Sequence, residues 1–376
     1  MSRLIWHSVA PWAPSGYGTQ TAIWIKELAK MGHEVIVSSY WGLSGAPTQW
    51  EGITILPGFG HSYCTGSLFE HYKAVKPELV ITLGDVWVLD PNLLKQMPVA
   101  HWLPSDCRPM SHADRNVVEI AGDELIAMSH FGFDRFTSAG FRPQYVPHAI
   151  DLKTFYPGDR KKLREDAELG SEFVIGVNSA NNDAIRKALP EIMLAFAKFL
   201  QDHPDSILTV HSGVHQDGGQ DLEFLAGALG ITDRVRAVDQ YRYNSGLVTA
   251  SDLKDWYTTI DVLCCTSFGE GFGLPIIEAQ ACGTPVITTN ASSMEEVNPH
   301  GLGVDGEPFW NGVHRGWWMK PYISQIVDAF EKSWENRDNV DRDKLRAFAG
   351  EYEVSKVSET YMKPAVDELL RRVQGG

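Results

Sequence analysis

Two glutamates eight positions apart, Glu270 and Glu278, lie in the stretch FGEGFGLPIIEAQACGTPVITTN, Phe268 to Asn290. Gly271, Gly273 and Pro275 stand between them, so the first half is too rich in glycine for a helix. Pro275 to Cys282 reads as a helix with proline in its first turn, stopped by Gly283-Thr284-Pro285 and followed by a strand at Val286 to Thr288. This predicts a glycine loop opening onto a helix N-terminus, with one carboxylate in the loop and the other a turn inside the helix. Backbone N–H groups at such a terminus attract anions, phosphate above all. Two carboxylates beside a phosphate would repel it unless they face hydroxyl groups. A phosphate joined to sugars therefore suits the pattern. A loop that merely ends a strand, with two solvated glutamates, is the plain alternative, and it does not account for so much glycine and proline.

The elements that must position these groups follow from the periodicity. Apolar runs alternate with helical patterns along the chain, the mark of a parallel α/β sheet. Strands are predicted at Leu4–Val9, Glu34–Ser38, Thr54–Leu56, Leu79–Leu83, Val99–Trp102, Glu124–Met128 and Gln144–Val146, with a first helix from about Thr19 to Met31 after the loop Ala10–Gly18. A second series follows: strands at Phe173–Val177, Ser206–His211, Val235–Val238 and Val262–Thr266, and helices at Ile185–Asp202, Leu222–Leu229 and Asp252–Thr258. The fold class is α/β, with two doubly wound Rossmann-like domains, residues 1–150 and 151–354. Val146 to Pro157 is the hinge. The C-terminal segment, about 355–376, contains a helix from Ser355 to Val373 in which Pro364 should cause a kink or break.

Composition narrows the function. The 376 residues, 43% hydrophobic and 22% charged, suit two globular domains. A formal net charge of −15 disfavours a large footprint on duplex DNA. The five cysteines include no CxxC pair and read as reduced thiols of a cytoplasmic protein. No apolar run has the length of a membrane span, and Met1-Ser2-Arg3 opens directly into a strand. No Asp-x-Asp metal motif stands out; Asp341-Arg342-Asp343 falls in a charged helical tail, so no metal ligands are assigned.

The Phe268–Asn290 stretch closely resembles the E-x7-E signature of retaining family 4 glycosyltransferases, which have the GT-B fold, two domains facing each other across a cleft. EGFGLP, EA, CG-PV and both glutamates match, and the likeness extends over most of the chain, weakest from Gly42 to Pro77. It implies that Glu278 holds the nucleotide ribose, Glu270 holds donor-sugar hydroxyls, and the backbone of Gly271, Phe272, Gly273 and Leu274 contacts sugar and diphosphate. It implies that residues 1–150, with the 355–376 segment crossing back, form the acceptor side, and that residues 151–354 bind the nucleotide sugar, such as a UDP- or GDP-sugar. That donor is a substrate, and no cofactor is implied. Lys187 matches the family's diphosphate-neutralising lysine. The partner arginine usually follows a strand-end glycine, where this chain has Gly176-Val177-Asn178, so Arg186 is the substitute and Asn178 a donor-side residue. Front-side displacement is the mechanism implied, the leaving phosphate taking the acceptor proton.

Other positions are read against plainer alternatives. Gly16 and Gly18, in Ser15-Gly16-Tyr17-Gly18-Thr19, line the donor in the family's manner or form a structural turn. Ser105-Asp106 takes the place of the family's strand-end histidine, making Asp106 a site candidate, while His101 suits a satisfied core histidine. Asp85 meets an acceptor hydroxyl or caps a helix. Tyr241 lies where relatives position the base, or in an ordinary turn. Ser292-Ser293 closes the cleft, and the tryptophans of Phe309–Tyr322 pack together or stack on sugar. The opening WHSVAPWAPSGYGTQ also resembles glycosyltransferases carried by actinobacterial phages, which implies a virion protein or a modified DNA base as acceptor, and the acidic charge favours protein or a small acceptor over duplex DNA. An epimerase of the same fold and an inactive nucleotide-sugar-binding module are the rival readings.

Overall fold

The computed structural model describes residues 1–60, 63–122 and 124–375. The chain divides into two compact units, one comprising 1–149, 311–316 and 354–376, the other 150–310 and 317–353. Gly376, the end of the expected C-terminal segment, lies outside the described residues.

The first unit holds β1 (Arg3–Ser8), β2 (Glu34–Ser39), β3 (Thr48–Trp50), β4 (Ile53–Pro57), β5 (Leu79–Leu83), β6 (Val99–Leu103), β7 (Glu124–Ala127) and β8 (Gln144–Tyr145). They form one sheet in the order β3-β4-β2-β1-β5-β6-β7-β8. All pairings are parallel except that of β3 with β4. Every residue of β5 and β6 is buried, as parallel strands covered by helices on both faces require. Ile5, Val80, Leu103, Leu125 and Phe136 belong to the core on one face.

The second unit repeats the plan with β9 (Val174–Asn178), β10 (Ile207–His211), β11 (Val235–Ala237), β12 (Val262–Cys265), β13 (Val286–Thr289) and β14 (Leu302–Val304). The order β11-β10-β9-β12-β13-β14 is wholly parallel. It is the doubly wound arrangement in which the strand order reverses beside β9, leaving a crevice outside the carboxyl ends of β9 and β12. The helix Leu189–Phe199 packs Ile192, Phe196 and Phe199 into the core with Ile175, Leu208 and Phe330. A separate two-stranded sheet joins β15 (Gly306–Asn311) and β16 (Gly316–Pro321).

Three local expectations change. The first helix begins at Gly16, with Ser15 as its cap, so Gly16 and Gly18 lie in the helical first turn instead of a preceding loop. The helix predicted from Ile185 begins only at Leu189, because Ala188 takes a left-handed φ of 52° and Leu189 precedes proline. Arg186 and Lys187 thus sit in a turn. Of the kink or break expected at Pro364, the break does not occur. A π-helical turn, Ser358–Met362, precedes Pro364, and the α-helix resumes at Lys363 and runs to Gly375. The wider turn is a known way to accommodate a residue that has no N–H.

Candidate functional site

The crevice of the second unit collects most of the residues singled out above. Asn178 ends β9, the Arg186–Lys187 turn follows it, and the chain after β12 supplies Glu270. Glu270 is buried, 8% exposed, yet its carboxylate has three donors. Lys187 Nζ and Ser267 Oγ each lie 2.6 Å from Oε1, and Arg186 donates to Oε2 at 3.1 Å. Burial alone would push this carboxyl up, but the two adjacent cations outweigh it and hold Glu270 at about 2. The cluster carries two positive charges and one negative, a net cationic patch inside an acidic protein. Ser267 was not among the residues expected from sequence; an Oγ three residues before a glutamate gives no signal by itself.

The loop between the two glutamates is held rigid from behind. Gly273 has φ 101°, a conformation that suits only glycine, and it caps the eight-residue helix Leu274–Ala281. Ser292 Oγ accepts the Glu270 N–H at 2.9 Å, and Ser293 Oγ lies 2.8 and 2.9 Å from the Glu270 and Phe272 carbonyls. Both serines are buried. They brace the loop, a role not foreseen for them. The Phe272 ring packs edge-on to Tyr352 at 5.5 Å. The N–H groups of Gly271, Gly273 and Leu274 have no protein acceptor among the described residues. Three such donors at a helix N-terminus beside two cations form an anion-receptive surface.

Glu278 lies inside the helix and differs from Glu270 in every electrostatic respect. It is 7% exposed, has no cation against it, and is pushed up to about 7 by burial, which a hydrogen bond from Tyr257 at 2.9 Å partly offsets. Two carboxylates eight residues apart thus have opposite characters, one firmly ionised and the other poised near neutrality.

The remaining candidates are carried by other elements. Asp239 caps the short helix Gln240–Asn244, which leaves the Tyr241 ring 75% exposed, while Tyr243 packs on His211 at 5.5 Å. In the first unit, Ser15 Oγ accepts the Gly18 N–H at 3.1 Å. A Cβ at Gly18 would stand 2.0 Å from the Ala13 carbonyl oxygen, so glycine is required there by packing alone. Asp106 is half-buried in the loop after β6, near Cys107 and Asp114. Asp114, missed in the sequence, is buried and pushed up to about 7 by desolvation, then by Asp85. His101 is a core histidine bonded to Thr82 at 2.7 Å. The cap of the helix after β5 is Asp90, not the exposed Asp85. Trp310 and Trp317 face each other edge-on at 5.0 Å, each about half exposed, and Trp318 is buried. Among the described residues, no group of three or more His, Cys, Asp or Glu has the arrangement to hold a metal ion, and no helix is long and apolar enough to cross a membrane.

The chain is similar to known proteins over part or all of its length. A family model described as "Glycosyl transferases group 1" matches residues 164–352. The D-inositol 3-phosphate glycosyltransferase of Geodermatophilus obscurus is 32% identical over 186 residues, 47% of this chain and 38% of that protein. Its namesake from Corynebacterium jeikeium is 34% identical over 185 residues, 46% of this chain and 42% of that one. The chain thus spans about two fifths of the length of these relatives. Sucrose-phosphate synthase from Thermosynechococcus elongatus superposes with a TM-score of 0.77 at 18% identity, covering 100% of both chains. Anabaena Alr3699/HepE in complex with UDP-glucose gives 0.71 at 15% identity, covering 98% of this chain and 100% of that one. These structural likenesses establish the GT-B fold.

Proposed function

Because the chain belongs to the group 1 glycosyl transferases, we propose that it moves a sugar from a nucleotide-sugar donor to an acceptor hydroxyl, with retention at the anomeric carbon and without a metal ion. In this reading Glu278 accepts hydrogen bonds from the ribose hydroxyls. The amides of Gly271, Gly273 and Leu274, with Lys187 and Arg186, receive the diphosphate, and Glu270 turns towards hydroxyls of the sugar. The bond from the anomeric carbon to phosphate oxygen breaks, the bond to the acceptor oxygen forms on the same face, and the acceptor proton passes to the leaving phosphate. Charge grows on the diphosphate in that step, and fixed cations and amides stabilise it electrostatically.

The observation that carries the reading is the buried Glu270 carboxylate held by Lys187 and Arg186 beside the unpaired loop amides, at the reversal point of the sheet. Donors of the UDP- or GDP-sugar type suit it, as in the UDP-glucose complex of the Anabaena protein. The net charge of −15 favours a virion protein or a small molecule over duplex DNA as acceptor. Five free cysteines suit a cytoplasmic setting.

The test incubates the full chain with a panel of UDP- and GDP-sugars and candidate acceptors, read by mass spectrometry. Transfer is expected to add one sugar mass to an acceptor and release the nucleoside diphosphate. An isomerised donor without nucleotide release would make the protein an epimerase. Binding without turnover across the panel would make it a binding module. Either outcome overturns the proposal.

A further inference from the structure

Behind Glu278 lies a chain of polar side chains that joins four separate elements. Tyr257, on the helix Ala250–Thr259, is fully buried and donates its hydroxyl to Glu278 Oε2 at 2.9 Å. Asn178, the last residue of β9, donates Nδ2 to the Tyr257 oxygen at 2.6 Å. Its Oδ1 faces Nδ1 of His211, the last residue of β10, at 3.1 Å. Asn178 and His211 are register partners across the two strands. Burial lowers the affinity of the His211 ring for a second proton, so it is neutral at physiological pH and its one N–H lies at Nδ1. Every bond then points the same way, from His211 through Asn178 and Tyr257 to Glu278. His211 Nε2 is buried with no hydrogen-bond partner, so among the described residues the ring is held by Asn178 and by packing on Tyr243 and Trp256.

A polar chain of this kind is costly to bury unless its members are satisfied, and it orients what stands at its end. Tyr257 is the one hydrogen-bond partner of the Glu278 carboxylate among the described residues. We propose that Tyr257, Asn178 and His211 are positioning residues that occupy one oxygen of Glu278 and present the other to the vicinal hydroxyls of the bound nucleotide. The proposal rests on the ribose role assigned to Glu278 above.

The groups that face Glu278 are few, so its titration is readable. Tyr257 meets it from one helix and Cys282 from its own; Cys282 in turn feels Lys254, Asp255 and Arg346. Tyr257 favours the ionised carboxylate, so removing its hydroxyl makes Glu278 hold its proton to higher pH. A protonated carboxyl accepts the hydroxyls poorly. Affinity is therefore present above the Glu278 pKa and lost as pH falls through it.

Isothermal titration of UDP and GDP into the full chain, from pH 5.5 to 8.5, tests this. Glu278→Gln supplies the baseline, because the probe's own phosphate titrates in the same range. After subtraction, wild-type affinity for the nucleotide that binds is expected to fall as pH drops through about 7. In Tyr257→Phe the fall should begin about one pH unit higher. His211→Ala should weaken binding at pH 8 by about threefold or more. His211→Asn, which restores a donor at the Nδ1 position, should recover most of it, a rescue that loss of packing alone would not show. An unshifted profile in Tyr257→Phe, or wild-type affinity in His211→Ala, overturns the positioning chain. Glu278→Gln binding as wild type at every pH sinks the ribose reading instead. Failure of wild type to bind either probe sinks both.

Discussion

Replacing Lys187 with alanine removes an ammonium that stands 2.6 Å from a buried carboxylate, and the cost follows from the charge state of Glu270. An ordinary glutamate titrates near 4.5 and this one is held at about 2, with the burial penalty already included. That difference of about 2.5 units corresponds to about 3 kcal/mol of stability, to which Lys187 is the largest favourable contributor. The contribution is complete above pH 4.5 and disappears as pH falls through about 2, because protonated Glu270 has no charge to pair. In Lys187→Ala the burial penalty faces Arg186 and Ser267 alone, so the carboxyl moves up and its charge becomes a liability at neutral pH. Urea unfolding followed by tryptophan fluorescence should show a deficit on the order of 3 kcal/mol at pH 7, narrowing at pH 4 as the variant takes up a proton. The double variant Lys187→Ala/Glu270→Gln should be more stable than the two single losses added together, because no buried charge is left uncompensated. Wild-type stability of Lys187→Ala at pH 7, or strict additivity in the double variant, would refute the buried-pair reasoning. Sugar transfer by Lys187→Ala should fall more than tenfold, since one fixed cation in a water-poor site is worth a few kcal/mol in the transition state.

Glu278→Ala should reduce nucleoside diphosphate affinity by about tenfold while the fold survives, as loss of a charge-assisted acceptor requires; unchanged affinity in calorimetry would remove the ribose role. Glu270→Ala should spare nucleoside diphosphate binding and depress turnover, and wild-type kinetics would discard the sugar-side assignment. EDTA should leave transfer nearly intact, whereas activity abolished by chelation and restored by magnesium or manganese would show that a metal takes part. Gly18→Ala should lower the melting temperature by several degrees, because its Cβ would meet the Ala13 carbonyl at 2.0 Å and backbone must move; an unchanged melt would mean the 10–15 segment yields freely.

What could be read in the chain was whatever had a local cause. β5 and the helix Leu222–Leu229 have the bounds predicted for them, the one because a run apolar except for Thr82 signals a buried parallel strand, the other because Asp221 caps one end and Gly230 closes the other at φ 68°. The glycine loop and both glutamates were legible for the same reason. The start of the helix after β9 was not, since nothing local announces the left-handed turn at Ala188. Nor was the partnership of Arg186 and Lys187 with Glu270, or the line from His211 to Glu278, because strand order alone brings those residues together. Periodicity in the first 150 residues gave no hint of the antiparallel β3, whose three residues are mostly exposed and carry no repeat. Aromatic residues near 310 and 317 were ambiguous because a cross-strand pair and a sugar platform use the same side chains.

The strand order has a consequence for synthesis. β9 lies between β10 and β12, and Ile175 and Gly176 pair with Val262 and Leu263. As the chain leaves the ribosome, β10 and β11 can join β9 on one flank long before β12 arrives on the other. For that interval the inner margin of β9 is an open template of unpaired backbone, with Arg186 and Lys187 waiting beside it as solvated cations. The arrival of β12 closes the margin and delivers Glu270 in the same event. Completion of the sheet and the pairing of both cations with one carboxylate are therefore one step in the history of each molecule, and a nascent chain stalled before Val262 would have neither.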